Sequence, residues 1–513
     1  MSSLASQLVL HESLAAAARS APGKPAIVDE AGTLGYGELY ERALRFARVL
    51  QDGGLRPGER VALYLNNTAT CATAIFGTLL ADGVFSVVNP QTKAEKLAYV
   101  LADSEAAVLV VEGMLEATAA AAVERAPSVR LVVSTGGEES PWPDLEEAIR
   151  AAEPEPTDSG RRPDELASLI YTSGTTGRPK GVMMTHEALV FSVGSIASYL
   201  RLDSDDRILN VLPLAFTYGL NQLLMSVRLG ATLALERSFV FPARTLKRIA
   251  NEAVTVFPGV PTTWATLLGM EELGEYPSVR CLTNAAAGLP PRYHDGLRRL
   301  FPNAALFRMY GLTECIRVCY LEPELLDAKP TSVGKAIPGT EAFVLDEAGE
   351  PAVPGEVGVL HVRGPHLMRG YWRAPEATAH MLRIDATTGE RTLCTHDHFT
   401  VDEDGDLYFV DRTDDIIKTR GEKVSSVEVE NALHEIAGIA TAAVVGVPDD
   451  VLGQSVRAYV VLEEGSALTE QEIIRQARSR LEAFMVPSEI CLVAELPQTE
   501  SGKVRKKSLL GHD

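Results

Sequence analysis

The sequence predicts an α/β fold: a large N-terminal domain, residues 1–413, of two parallel-sheet α/β subdomains plus a small β-barrel-like unit, then a small C-terminal α+β domain, residues 414–513. Three observations predict it. Apolar β-rich runs alternate with stretches of helical period from Ala26 to about Leu325, the pattern of parallel strands with helices packed on their faces. Over residues 332–410 the pattern changes to short strands broken by Gly and Pro, as at 356–362. From Asp414 the composition settles into a compact module of alternating helix and strand.

In chain order, residues 39–50 repeat apolar side chains at helical spacing, 60–64 form a short strand, and 68–81 read as a small-residue helix. A strand at 84–88 ends in Asn89-Pro90, and the rhythm continues through a helix at 93–101 and a strand at 106–111. Residues 138–163, rich in acids and proline, read as a surface excursion. The apolar run 166–171 and the strand 182–185 flank a Gly/Thr-rich loop. Leu189, Val193, Ile196 and Leu200 then fall on one helix face, with Thr185 as N-cap. In the last module, 426–434 is helical, 441–447 and 456–462 are strands, and 470–483 is a helix opened by Thr469.

Composition excludes several classes. A chain of 513 residues with 46% hydrophobic content can bury a large core, and no apolar run reaches the ~20 residues of a membrane helix. The N-terminus lacks the basic and apolar regions of a secretion signal, so a cytoplasmic location is expected. Six cysteines, at 71, 281, 315, 319, 394 and 491, show no paired spacing, as befits a reducing compartment. The net charge, 48 minus 69, is −21 and argues against nucleic acid as a partner.

The most informative stretch is Tyr171-Thr-Ser-Gly-Thr-Thr-Gly-Arg-Pro-Lys-Gly181. Its glycines, Gly174, Gly177 and Gly181, let backbone N–H groups approach an anion. Thr172, Ser173, Thr175 and Thr176 supply hydroxyl donors, and Lys180 adds a point charge. No Gly-Lys-Ser/Thr triplet closes it, and a strand rather than a helix follows, so it is a phosphate cradle between two strands and not a Walker A loop. Asn284-Ala285-Ala286-Ala287-Gly288 follows a strand with side chains too small to fill a core, which leaves room for a flat ligand against the backbone. Tyr310-Gly311-Leu312-Thr313-Glu314 sets an aromatic for stacking, a hydroxyl for phosphate and a carboxylate for Mg²⁺ within one turn. Cys394, His396 and His398 alternate along a predicted strand, but no fourth ligand accompanies them and a metal site there is not expected.

These motifs, in this order, resemble the adenylate-forming superfamily, which includes acyl-CoA and aryl-CoA ligases and peptide-synthetase adenylation domains. The resemblance implies that the loop Thr172–Lys180 grips ATP phosphates, with Thr313 and Glu314 catalytic, Glu314 holding Mg²⁺, and Tyr310, Gly311, Ala286, Ala287 and Gly288 contacting the nucleotide. It further implies that Asp397 and Arg412 hold the ribose hydroxyls, although His396 stands where the family has a small residue. Asp414 matches a hinge about which a mobile C-terminal domain rotates, and Gly421 the border of the acceptor tunnel. Lys503, in the loop Gln498-Thr-Glu-Ser-Gly-Lys503, matches the lysine that bridges carboxylate and α-phosphate during adenylation; a solvated basic tail is the bland alternative, and Arg505, Lys506 and Lys507 read as surface charge.

The acyl pocket implied by the resemblance uses Phe216, Tyr218, Pro261, Thr262, Ala285 and the side chains after Glu314. Thr217 stands where amino-acid-activating relatives carry an aspartate, which disfavours a free α-amino acid. Arg317 is open to two readings, recognition of a second polar or anionic group on the substrate or a structural ion pair. The expected cosubstrates are ATP, Mg²⁺, a small carboxylic acid and an external thiol. CoA leads as acceptor, with a carrier protein or an amine as alternatives, and a nucleotide-binding regulator without turnover is the contrasting class.

Overall fold

The computed structural model describes residues 9–155, 160–172, 179–270, 274–385, 387–412, 416–419, 422–449, 453–481, 485–499 and 504–510. One seven-stranded sheet runs in the order Gly370–Tyr371, Lys180–Thr185, Leu166–Thr172, Val84–Val87, Arg60–Tyr64, Ala106–Val111, Leu131–Ser134. Its strands from Leu166–Thr172 onward are parallel, whereas Lys180–Thr185 and Gly370–Tyr371 add antiparallel on one edge. A second, nine-stranded sheet has a parallel centre in which Ala305–Tyr310, Cys281–Asn284, Val256–Gly259, Arg207–Asn210, Thr232–Leu235 and Pro25–Asp29 are successive neighbours. Ligands of open parallel sheets bind outside the carboxyl ends of the strands. Those ends carry the Gly/Thr loop in the first sheet and residues 284–288 and 310–314 in the second.

Helices pack between and over the sheets because their apolar faces are wide and their ends are capped. Thr185 accepts from Ala188 N–H at 3.1 Å, as expected of it, and Thr68 accepts from Cys71 N–H at 3.3 Å. Helices Tyr36–Asp52 and Ala69–Leu80 approach closely through Gly77; a Cβ there would lie 2.7 Å from Phe46 and 2.8 Å from the Ala43 carbonyl. The stretch 138–163 is more structured than the sequence suggests. It contains helix Leu145–Ala151, capped by Asp144, with Leu145 and Ile149 buried and Glu146 paired to Arg42 at 2.6 Å. Its seven residues supply only that one i,i+4 apolar pair, too little periodicity to stand out from the surrounding acids.

The third sheet is antiparallel, in the order Glu341–Leu345, Gly358–Arg363, Arg391–Val401, Leu382–Ile384, with Leu407–Arg412 also paired to Arg391–Val401. The turn after Arg391–Val401 gathers Asp402, Asp404 and Asp406, and the Lys329 ammonium sits among them at 2.8, 2.8 and 2.6 Å. The C-terminal sheet joins Glu422–Ser425, Ile416–Thr419, Gly453–Leu462 and Ile439–Asp449, with Glu489–Leu492 parallel to Gly453–Leu462. Thr469 opens its helix as expected, in a reciprocal capping box with Glu472, but that helix ends at Ala477 rather than reaching 483. Lys506 is not mere surface charge: its ammonium meets Glu430 at 2.9 Å and donates to Ser426 at 2.6 Å, tying the last helix to Ser426–His434. All six cysteines are free thiols, and among the described residues no helix is long and apolar enough to cross a membrane.

Candidate active site

The Gly/Thr loop leaves one sheet strand at Thr172 and re-enters the next at Lys180, where the two residues form the last pair of the hairpin. Ser173, Gly174, Thr175, Thr176 and Gly177 lie outside the described residues. The base of the loop is braced from both sides. Tyr171 O–H donates to Asp103 at 2.6 Å, Tyr99 O–H to the Pro179 carbonyl at 3.1 Å, and Trp372 N–H to the Gly181 carbonyl at 2.7 Å. Burial, reinforced by the Asp103 carboxylate, pushes the Tyr171 phenol well above its ordinary value, so it stays a donor.

Glu314 is brought to that base by a residue the motifs did not flag. Tyr371, on the edge strand beside Val182, donates its hydroxyl to Glu314 Oε1 at 2.6 Å, while the Lys180 ammonium stands 5.3 Å from the centre of the Tyr371 ring. The Glu314 carbonyl accepts from Met368 N–H at 2.7 Å, which pins the 310–314 segment to the same edge. Burial and the adjacent carboxylate raise the Tyr371 phenol strongly. Among the described residues Glu314 Oε2 makes no hydrogen bond and Glu314 is only half-buried, so a carboxylate oxygen is available to a hard cation such as Mg²⁺. The aromatic pair Tyr371-Trp372 after Gly370 was the available signal, hidden in a stretch of short strands.

Asp397 joins the same cluster from the third sheet. Tyr310 O–H donates to Asp397 Oδ2 at 2.5 Å, and the Tyr310 ring meets Phe399 edge-on at 4.9 Å. Asp397 is also the backbone partner of Arg412, whose side chain lies outside the described residues. His396, the departure noted in the sequence, has φ 55°, a left-handed conformation that a glycine adopts at less cost. Its imidazole is steadied by stacking on His380 at 4.2 Å. Among the described residues the only grouping of three His, Cys, Asp or Glu able to share a metal is the aspartate turn already filled by Lys329.

Residues 284–288 close one wall. Asn284 accepts from the Trp264 indole at 2.9 Å and donates to the Ala287 carbonyl at 3.0 Å, shaping a turn in which Ala285 is buried while Ala286, Ala287 and Gly288 are exposed. Ala286 has φ 73°, and a Cβ on Gly288 would meet nothing within 4 Å. Gly311 is dictated locally, since a Cβ there would fall 2.5 Å from the Ile316 carbonyl. Thr313 lies half-buried beside Glu314. On the acyl side, Tyr218 O–H contacts the Thr283 carbonyl and hydroxyl at 2.9 and 2.7 Å, Phe216 caps the Tyr218 helix, and Pro261 opens the helix Pro261–Leu268, with Thr262 exposed next to it. Arg317 is buried with its guanidinium 5.2 Å from the Tyr218 ring centre.

Asp414, Gly421 and Lys503 lie outside the described residues. The loop that contains Lys503 is closed at its base by the bridge between Gln498 and Val504 and by Arg505 N–H on the Pro497 carbonyl at 2.7 Å.

A family model described as AMP-binding enzyme matches residues 14–372, and one described as AMP-binding enzyme C-terminal domain matches residues 428–503. The chain is 34% identical to a feruloyl-CoA synthase of Amycolatopsis sp, over 95% of this chain and 96% of that protein. It is 31% identical to a long-chain-fatty-acid–CoA ligase of Bacillus subtilis (strain 168), over 95% and 92% respectively. Its fold matches the crystal structure of ATP-bound MatB from Rhodopseudomonas palustris with a TM-score of 0.89 at 29% identity, over 98% of both chains.

Proposed function

Because the chain belongs to the AMP-binding enzyme family, within the adenylate-forming superfamily, we propose that it activates a small carboxylic acid with ATP and passes the acyl group to a thiol, CoA first among acceptors. In the first half-reaction a carboxylate oxygen attacks the α-phosphorus, the P–O bond to pyrophosphate breaks, and acyl-AMP forms. In the second, the acceptor sulfur attacks the acyl carbon and AMP leaves with the C–O bond electrons. No protein nucleophile is needed; positioning and cations do the work, because negative charge accumulates at phosphorus.

The observation that carries the reading is the Tyr371–Glu314 hydrogen bond, which joins the glycine-threonine hairpin to the 310–314 segment. Thr172, Lys180 and the hairpin residues between them hold the triphosphate, Tyr310 with Gly311 and residues 286–288 the adenine, and Asp397 with Arg412 the ribose. Thr313 donates to the α-phosphate. Mg²⁺, when bound on Glu314, would neutralise phosphate charge. Lys503 supplies the cation between carboxylate and α-phosphate, and residues 414–513, turning about Asp414, exchange it for Gly421 when the thiol arrives.

The test is ATP–pyrophosphate exchange across a panel of carboxylic acids, followed by mass spectrometry of products with CoA, a phosphopantetheinylated carrier protein or an amine. Acid-dependent exchange with a CoA thioester as product is expected. Exchange followed by acylation of the carrier or amine alone would replace CoA as acceptor, and ATP binding without exchange would favour a regulator.

A further inference from the structure

Arg317 is 3% exposed, and among the described residues no carboxylate pairs with it. Buried guanidinium groups are ordinarily matched by an acid, because taking the charge out of water is otherwise uncompensated. Its Nε is sealed and makes no hydrogen bond. The main chain reaches Arg317 through a tight turn, with Ile316 at φ 64° and Arg317 N–H on the Cys315 carbonyl at 2.6 Å, and the side chain ends over the face of Tyr218. The ion-pair alternative left open by the sequence therefore has no partner among the described residues.

Two further side chains share this condition. Asn221 stands one helical turn after Tyr218, is 2% exposed, and has neither amide atom hydrogen-bonded. His366 is fully buried, its imidazole directed at the Arg317 main chain short of full hydrogen-bond geometry and 5.9 Å from the Phe191 ring. Burial holds its pKa down to about 4, so at neutral pH the ring is uncharged and presents one N–H. More than nine in ten buried polar groups are satisfied in native proteins. Three exceptions from separate segments, one being Arg317 itself, one set against its main chain and one a helical turn from the tyrosine beneath it, point to a missing occupant.

We propose that Arg317, Asn221 and His366 recognise a second carboxylate at the far end of the acyl group, so that the preferred substrate is a dicarboxylic acid. The assignment rests on the adenylation reading above. A carboxylate offers about four lone-pair sites, which the guanidinium fork and the Asn221 amide N–H can fill, with the His366 imidazole beside the Arg317 main chain. Arg317 follows Glu314 by three positions, so their backbones are at most about 10 Å apart, which favours a short to medium diacid over a long one.

The experiment uses the full chain in ATP–pyrophosphate exchange with diacids of about four to eight carbons, a range set by that span, each compared with its monoamide and the monoacid of equal length. The expected wild-type preference for the diacid is about 100-fold or more in kcat/KM, the scale on which a site built for a polar group rejects an analogue lacking it. Arg317→Met should collapse that ratio, Arg317→Lys should retain part of it, and Asn221→Leu should lower it by roughly tenfold. ATP binding followed by calorimetry confirms that each variant is folded. Exchange on monoacids as fast as on diacids, or a ratio unchanged in Arg317→Met, overturns the assignment while leaving adenylation intact. Exchange with no acid at all overturns both.

Discussion

Glu314 is held on one oxygen by Tyr371 and left open on the other, and this asymmetry fixes what a single substitution should do. Tyr371→Phe removes one charge-assisted hydrogen bond, worth about 1.5–3 kcal/mol, and should lower kcat/KM in pyrophosphate exchange by roughly 10- to 150-fold while raising the Mg²⁺ concentration needed for half-maximal rate. An unchanged Mg²⁺ requirement would show that Tyr371 does not act through a carboxylate that holds the metal. Lys503→Ala should abolish exchange yet still form thioester from synthetic acyl-AMP and CoA; equal loss of both would contradict a role confined to the first half-reaction. At this scale the motifs were readable because charge, hydroxyl and glycine content report chemistry directly. Tyr371, Asn221 and His366 were not, since their meaning comes from neighbours far away in sequence. His396 shows the reverse: its oddity was visible in the sequence, and the structure gives it a left-handed backbone.

Among the elements, the segment leading into helix Glu12–Ser20 is clamped to the helix His186–Tyr199 by two imidazoles. Leu10 N–H donates to His186 Nδ1 at 3.2 Å, and the His11 ring stands edge-on to His186 at 5.9 Å. Burial, with the nearby Arg161 charge, lowers His11 to about 4; burial, then His11 and Arg161, lowers His186 to about 3. Both folded values lie below the unfolded 6.5, so the unfolded chain binds more protons in between, and stability is present above pH 6.5 and lost as pH falls toward 4. Each ring should account for about 2 kcal/mol of that loss at pH 5. Urea unfolding at pH 7.5 and pH 5 should show a smaller acid loss for His186→Gln than for the wild type; equal losses would mean the pair does not titrate on unfolding. Strong periodicity and caps made several helices legible in the sequence, as at Thr185 and Thr469. Leu145–Ala151 escaped because seven residues carry too little pattern.

For the molecule as a whole, the order of the parts was legible from the motifs, but not how the last one rests on the others. In the structure Arg292, shortly after the 284–288 wall, donates to the His434 carbonyl and, at 3.4 Å, to the Ala440 carbonyl, while Ser425 O–H bonds the Val410 carbonyl at 2.6 Å. If residues 414–513 turn as proposed, Arg292→Ala removes a contact of this arrangement. It should therefore change the ratio of exchange to thioester-forming rates by severalfold with ATP affinity preserved. Two rates that move together would place the contact outside the domain rotation.

Lys329 among its three aspartates has a bearing on how the protein will behave in the hands of an experimenter. A covalently attached ammonium does there what a calcium ion does in many acidic turns, and no chelator can strip it. EDTA should therefore silence catalysis without lowering the melting temperature. A fall in both would reveal a structural ion elsewhere.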